Sequence, residues 1–311
     1  AKLYRRLEQV TIPGIVEKFF GVRARTVSSI LLTIVMLAVG LSQMVAAGKL
    51  GQSLMGYDFT ATCIVFAVIF IVYTLAGGMR AVAATSEVHL FAMYGGMILA
   101  MFVALHKVGG MAAFKEGMAQ VEAADGGSFF SMGSIGLSKV SSWIIASLLG
   151  ACTAQAGIQP VLAAKDIKTA KKACILTAFV VAPFGFFSAL LGMIGRVMYN
   201  QGTLLAEVDN LAQGAKLALP SLMMNMHPIA GGLILAAILA AILSTVSPII
   251  LAAGTMLTKD IYQRDMNPNA TDKQILRVSR ITTALSGVVC GVGAILRADS
   301  RAVLDILYSA Y

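Results

Sequence analysis

What constrains this chain most is its set of long stretches without an ionised side chain. Such runs occupy 26–48, 59–79, 88–106, 140–164, 173–195, 217–258 and 281–296, each bounded by Asp, Glu, Lys or Arg. Most reach the roughly 20 residues that a helix needs to cross the hydrocarbon core of a bilayer. With 58% hydrophobic and 13% charged residues and a mean hydropathy of +0.82, a chain of 311 residues has too little polar surface to clothe a water-soluble globule. The fold class is therefore all-α, a polytopic membrane helix bundle, read as seven complete helices plus the start of an eighth at Arg301–Tyr311. A lipid bilayer is the implied surrounding.

Punctuation sets the helix boundaries. Residues 1–25 form a basic amphipathic segment in which Thr11-Ile12-Pro13 starts a short helix ending near Gly21. Spans are expected at about 26–50 and 59–76, followed by a tight Gly77-Gly78 turn and a span at 86–106. The polar stretch 107–139 includes a surface helix over Met111–Ala124, and further spans follow at about 140–163, 172–199, 231–258 and 275–297. The last of these borrows residues flanking its short apolar run, with Arg277 and Arg280 snorkelling. Pro220, His227, Pro228, Gly231 and Gly232 predict a re-entrant or surface segment before the 231–258 helix. Abundant Gly, Ala and Ser let neighbouring helices approach closely, as lipid-embedded bundles require.

Placing the N-terminus in the cytoplasm puts sixteen of the 24 Lys and Arg residues on the inner side, the distribution that membrane insertion favours. The net charge of +9 is thus a topology signal, and no basic cluster with stacking aromatics supports nucleic-acid binding. This orientation implies a multi-pass protein of the plasma membrane. Cys63, Cys152, Cys174 and Cys290 lie singly in different apolar segments and read as small packing residues. His89, His106 and His227 are equally scattered, which argues against a histidine metal site. There is no nucleophile paired with a base, no phosphate-cradling loop and no metal cluster, so the chain does not read as an enzyme. It starts with Ala1 and stops early in its last apolar segment, the pattern of a piece of a longer protein forming one incomplete membrane domain over 1–311.

One span carries adjacent hydroxyls. Ser244 and Thr245 lie deep in the 217–258 run, and on a helix residues 241, 244 and 245 fall within an arc of about 100°. Both hydroxyls and a tilted Ala241 carbonyl would then address one small hard cation with oxygen alone. The alternative is that each hydroxyl bonds back to a carbonyl one turn earlier. Pro248 brings no amide hydrogen to the Ser244 carbonyl and predicts a bend there. No ionisable residue falls mid-helix in the seven expected spans, which leaves neutral oxygens as the ligands for any ion there.

The run AAILSTVSPIILAAGTMLTKDIY resembles the signature helix of the sodium:solute symporter family. TIPGIVEKFFGVRARTVSSI at 11–30, YTLAGGMRAV at 73–82 and QPVLAAKDIKTAKKA at 159–173 resemble further family segments, in the family's order. The resemblance implies a five-plus-five inverted-repeat transporter fold, with this chain covering core helices three to nine and the start of the tenth. It implies sodium as the coupling ion, held on core helix eight by Ala241, Ser244 and Thr245, with the remaining sodium ligands on a core helix this chain lacks. It also implies transport of a small organic solute by sodium-coupled symport.

The chain departs from the family pattern in places. Ala84-Thr85-Ser86 stands where Trp-Thr-Asp is frequent, which puts a second sodium site in doubt, and Gln159-Pro160 replaces a frequent Gln-Arg pair. Where sugar-carrying relatives place Asn, Tyr and Lys, this chain has Ser147, Gly150 and Val181, without an aromatic platform or a Lys donor. A carboxylate or amino acid is therefore expected rather than a sugar, with Ser147, Thr153 and Gln155 as candidate pocket or gate groups. Two alternatives stay open, a transporter-like membrane sensor of a signalling kinase and an uncoupled facilitator.

Overall fold

The structure is a computed structural model and describes residues 4, 6–126, 128–131, 136–203 and 227–296. The expected helix at Arg301–Tyr311 and the part of the expected re-entrant segment around Pro220 lie outside the described residues. Helices make up the regular structure throughout, and among the described residues there is no strand.

The N-terminal helix forms as its sequence predicts. In α1 (Ile12–Phe20) the Thr11 hydroxyl caps the first turn, accepting from the Gly14 amide at 3.1 Å, and Pro13 sits where no amide hydrogen is needed. Gly21, at φ +83°, ends it and turns the chain into α2 (Val22–Met55). Asp58 opens α3 (Phe59–Met79) by accepting the Thr60 amide at 2.8 Å, and these backbone hydrogen bonds hold its carboxyl below the usual range. Gly78 adopts φ +51° and ψ −157°, a conformation open only to glycine, and separates α3 from α4 (Val82–Lys107). The expected glycine turn is therefore present, but α4 starts four residues before the expected position 86 because the break is confined to a single residue.

Next come α5 (Gly110–Asp125), at the place of the expected surface helix, α6 (Leu137–Thr153), α7 (Gln155–Ala163) and α8 (Ile167–Asn200). The expected single helix over 140–163 is corrected here. It breaks at Ala154, which is extended at ψ 107°, and α6 and α7 bend by 46°. The sixth expected span begins at Pro228, three residues early, and as α9 (Pro228–Met256) it runs through Pro248 as one unbroken element. It then rewinds into a π-helix, Leu257–Met266, whose i→i+5 pattern ends in an Asn267 amide donating to the Tyr262 carbonyl at 2.8 Å. The last described element is α10 (Asp272–Leu296). By length and apolar content α2, α3, α4, α8, α9 with its π extension, and α10 can each cross a membrane, and the bent α6–α7 pair is a seventh crossing when taken as one span.

Contacts divide the chain into two compact units. The first comprises residues 1–87, 146–177 and 242–311, and the second 88–145 and 178–241. In the first, Met36 of α2 packs with Ile249, Ala253 and Met256 of α9. Cys63 and Cys290 are buried, whereas Cys152 and Cys174 are exposed, so only the first two pack as the sequence suggests. In the second unit, the Tyr94 hydroxyl donates to the Val180 carbonyl and its ring meets Phe184 edge-on at 5.8 Å.

Within the first unit α9 and α10 come close together at Gly254. A β-carbon there would lie 2.2 Å from Thr283 Oγ1 and 2.9 Å from the Thr283 Cα and N, so backbone itself blocks any side chain. Gly254→Ala should destabilise the full-length protein by about 1–3 kcal/mol through overpacking. Gly95→Ala, where the added carbon meets nothing within 4 Å, should leave the thermal midpoint in detergent unchanged or slightly raised. Equal midpoints for the two variants would refute this account of the α9–α10 contact.

Candidate functional site

The hydroxyls singled out from the sequence lie on α9. Ser244 and Thr245 are half-buried, as is Ala241 one turn earlier on the same helix. Their neighbours Val246 and Ser247 are completely buried, so this turn is embedded on one side and open on the other. Ser247 was not singled out from the sequence, although its Oγ is buried and has no hydrogen-bond partner among the described residues. Its signal was the Ser-Thr-Val-Ser spacing, which puts it about 60° around the helix from Ser244. Among the described residues no three His, Cys, Asp or Glu side chains gather to hold a metal. An ion at this turn would be met by neutral oxygens, a donor set suited to a hard monovalent cation.

The second predicted group separates. Ser147, Gly150 and Thr153 follow one another at three-residue intervals on α6; Ser147 and Thr153 are exposed and Gly150 is half-buried. The Thr153 hydroxyl donates to the Leu149 carbonyl at 3.0 Å, one turn back in its own helix. Val181 belongs to α8 in the second unit and is exposed. Gln155 lies beyond the Ala154 break and is fully buried. Its Oε1 accepts the Ile12 amide at 2.8 Å and its Nε2 donates to the Val10 carbonyl at 3.3 Å. The side chain thus supplies the backbone partners that the start of α1 would otherwise lack. From α7, Gln159 Nε2 also donates to Thr255 Oγ1 on α9 at 3.2 Å.

A second polar centre lies past the apolar part of α9. Asp260 of the π-helix is fully buried, and its Oδ1 accepts the Thr11 hydroxyl at 2.8 Å. Its Oδ2 is buried without a hydrogen-bond partner among the described residues. Around it, Arg25, itself 3% exposed, pairs with Glu17 at 2.7 Å and with Asp265, while Arg264 pairs with Glu17 and donates to Gln9 Oε1 at 2.8 Å. A cavity of about 560 Å³ opens among Thr11, Glu17, Arg25, Lys259, Asp260 and Arg264. Asp260 lies two residues past the expected 231–258 span, so the absence of ionisable residues from the middle of the expected spans holds while a buried carboxylate follows directly after one of them. The sequence reading ended the helix at 258, whereas the π-helix carries it on to Met266. The Asp260–Arg264 spacing at the edge of an apolar run was the available signal.

Thr11 therefore has two tasks, capping α1 and donating to a buried carboxylate. Thr11→Val should lower stability by about 1–3 kcal/mol, because Asp260 loses its donor while staying buried. Thr11→Ser should restore most of the loss in a thermal melt of the purified protein; an unaltered melt for Thr11→Val would contradict the assignment.

Together these elements define a class: a multi-pass helical membrane protein with a polar turn on an apolar spanning helix and a charged network at that helix's end. The profile of the sodium:solute symporter family matches residues 1–311, and the chain belongs to that family. Relatives include sodium/glucose cotransporter 4 of Danio rerio, 28% identical over 305 residues that cover 88% of this chain and 45% of that protein. The high-affinity proline transporter PutP of Bacillus subtilis (strain 168) is 26% identical over 90% of this chain and 58% of its own length. High affinity choline transporter 1 of Homo sapiens is 29% identical over 81% of this chain and 43% of its own length. The chain thus spans about half the length of the curated relatives it matches. A Na+-coupled sialic acid symporter in a substrate-bound outward-open state shares the fold, with a TM-score of 0.84 and 23% identity over 94% of this chain and 62% of the symporter chain.

Proposed function

We propose that this chain forms much of the transport core of a sodium-coupled symporter that moves a small organic solute by alternating access. The observation that carries the reading is the Ser244–Thr245 turn on a spanning helix, in a chain matched by the sodium:solute symporter family from 1 to 311. Sodium is held by the Ser244 and Thr245 hydroxyls with the Ala241 carbonyl, and further oxygens come from outside this chain. Sodium and solute favour the same outward-open state, so each raises the affinity of the other. The N-terminal side, with α1, Arg25 and Arg264, faces the cytoplasm of a plasma-membrane protein, which agrees with the basic residues gathered there.

The solute is a carboxylate or an amino acid rather than a sugar. Support comes from the side chains at the aligned sugar positions, where Ser147, Gly150 and Val181 present neither an aromatic ring nor an ammonium group. The buried Gln155 holds the α1 entry rather than a solute, and the exposed Thr153 bonds back to its own helix.

Two measurements test this reading in the full-length protein reconstituted in vesicles. Replacing both Ser244 and Thr245 by Ala should reduce sodium-stimulated uptake at least ten-fold, and undiminished sodium stimulation would overturn the site. A panel of labelled proline, pantothenate, acetate and glucose, each with and without sodium, should show sodium-driven uptake of one of the first three. Uptake of glucose alone would overturn the solute class.

A further inference from the structure

The ten-residue π-helix that continues the hydroxyl-bearing helix has no role in the reading above. Single π turns are the usual form in proteins, and they gather at functional positions. Here the winding decides which side chains share a face. In an α-helix Asp260 and Asp265 would stand about 140° apart. In i→i+5 winding Arg264 and Asp265 fall on either side of the line through Asp260. All three then face the N-terminal segments that form α1 and α2. Thr11 reaches Asp260, Glu17 reaches Arg264, and Arg25 and Thr26 reach Asp265, the Thr26 hydroxyl donating to Asp265 Oδ2 at 2.9 Å.

The upstream end of the segment is fixed. Thr258 Oγ1 donates to the Gly254 carbonyl at 2.7 Å and lies 2.9 Å from Thr282 Oγ1 on α10. A change of winding therefore cannot be absorbed above Thr258 and must move the residues below it. α-Helical winding from that fixed start would bring Gln263 and Arg264, about one to two residues earlier, to the place Asp265 now holds. Arg25 would then face no carboxylate there.

We propose that Leu257–Met266 is a register switch, π-wound when its charged face is latched to α1 and α2 and α-wound when that latch is released. It rests on the symport reading, because it couples the cytoplasmic end of the helix to the sodium turn on the same helix. Sodium at Ser244–Thr245 favours the outward-open state, in which the cytoplasmic side is shut and the latch formed. By reciprocity a weakened latch lowers sodium affinity.

The test uses paired cysteines in the full-length transporter in proteoliposomes, with the single-cysteine variants as baseline. Thr26→Cys with Asp265→Cys reports the π register, and Thr26→Cys with Gln263→Cys reports the α register. In sodium at least ten-fold above what the unmodified protein needs for saturation, with the Thr11–Asp260 and Glu17–Arg264 contacts still in place, the first pair should cross-link at least ten-fold faster than the second, and replacing sodium by N-methylglucamine should reverse the preference. An unchanged preference in the two salts overturns the switch. The oxidised Thr26→Cys/Asp265→Cys protein should lose uptake and regain it on reduction; uptake that survives the cross-link also overturns it. Should either pair fail to fold, Asp265→Asn serves in its place, with an expected ten-fold rise in the sodium concentration for half-maximal uptake. An unaltered sodium requirement overturns the proposal. Uptake by the unmodified protein that ignores sodium would instead defeat the symport reading.

Discussion

Lipid supplies no hydrogen-bond partner, so each departure of this backbone from α-helix has to be held by the protein itself. Three departures matter. At Gly78 the glycine alone makes the conformation accessible, and the chain passes from α3 to α4 through one residue. At Ala154 no breaker is present; the bend coincides with Gln155, whose buried amide is committed to Val10 and Ile12. From Leu257 to Met266 the i→i+5 winding is accompanied by bonds from Thr258 to α10 and from Asp260, Arg264 and Asp265 to the N-terminal segments.

These contacts converge on one helix. α9 carries the polar turn at Ser244–Thr245, meets α10 at Gly254 with no room for a side chain, and receives Gln159 from α7 at Thr255. Below them lies Asp260, fully buried and met by the hydroxyl of the α1 cap. The helix is thus gripped by small-residue contact along its length and by charge at its end. Charge pairing there can be stronger than at a water-exposed surface, since Arg25 is almost fully buried between two carboxylates. A rigid grip with one polar end is the arrangement in which a small ion at mid-helix and a network at the end of that helix can bias the same equilibrium.

Much of this was legible in the chain. The charge-free runs located the spans to within a few residues, the Thr-Ile-Pro start and Gly21 end of α1 were readable from capping rules, and the two adjacent glycines marked the α3–α4 break. The polar turn of α9 was legible because hydroxyls in an apolar run stand out. Asp260 was not, because an Asp just past an apolar run looks like the solvated boundary of the span. Its buried carboxylate takes its hydrogen bond from Thr11, 249 residues away in sequence.

The sequence by itself determined the fold class, the order of the spans, the family and the candidate ion-binding turn, since hydropathy, capping and motif spacing are all local properties. Only the tertiary structure decided that one expected helix is two, that Gln155 holds the α1 entry, and that α9 ends in π winding. Those outcomes hang on which distant groups satisfy a backbone or a charge once water is excluded. No periodicity in the chain encodes that choice.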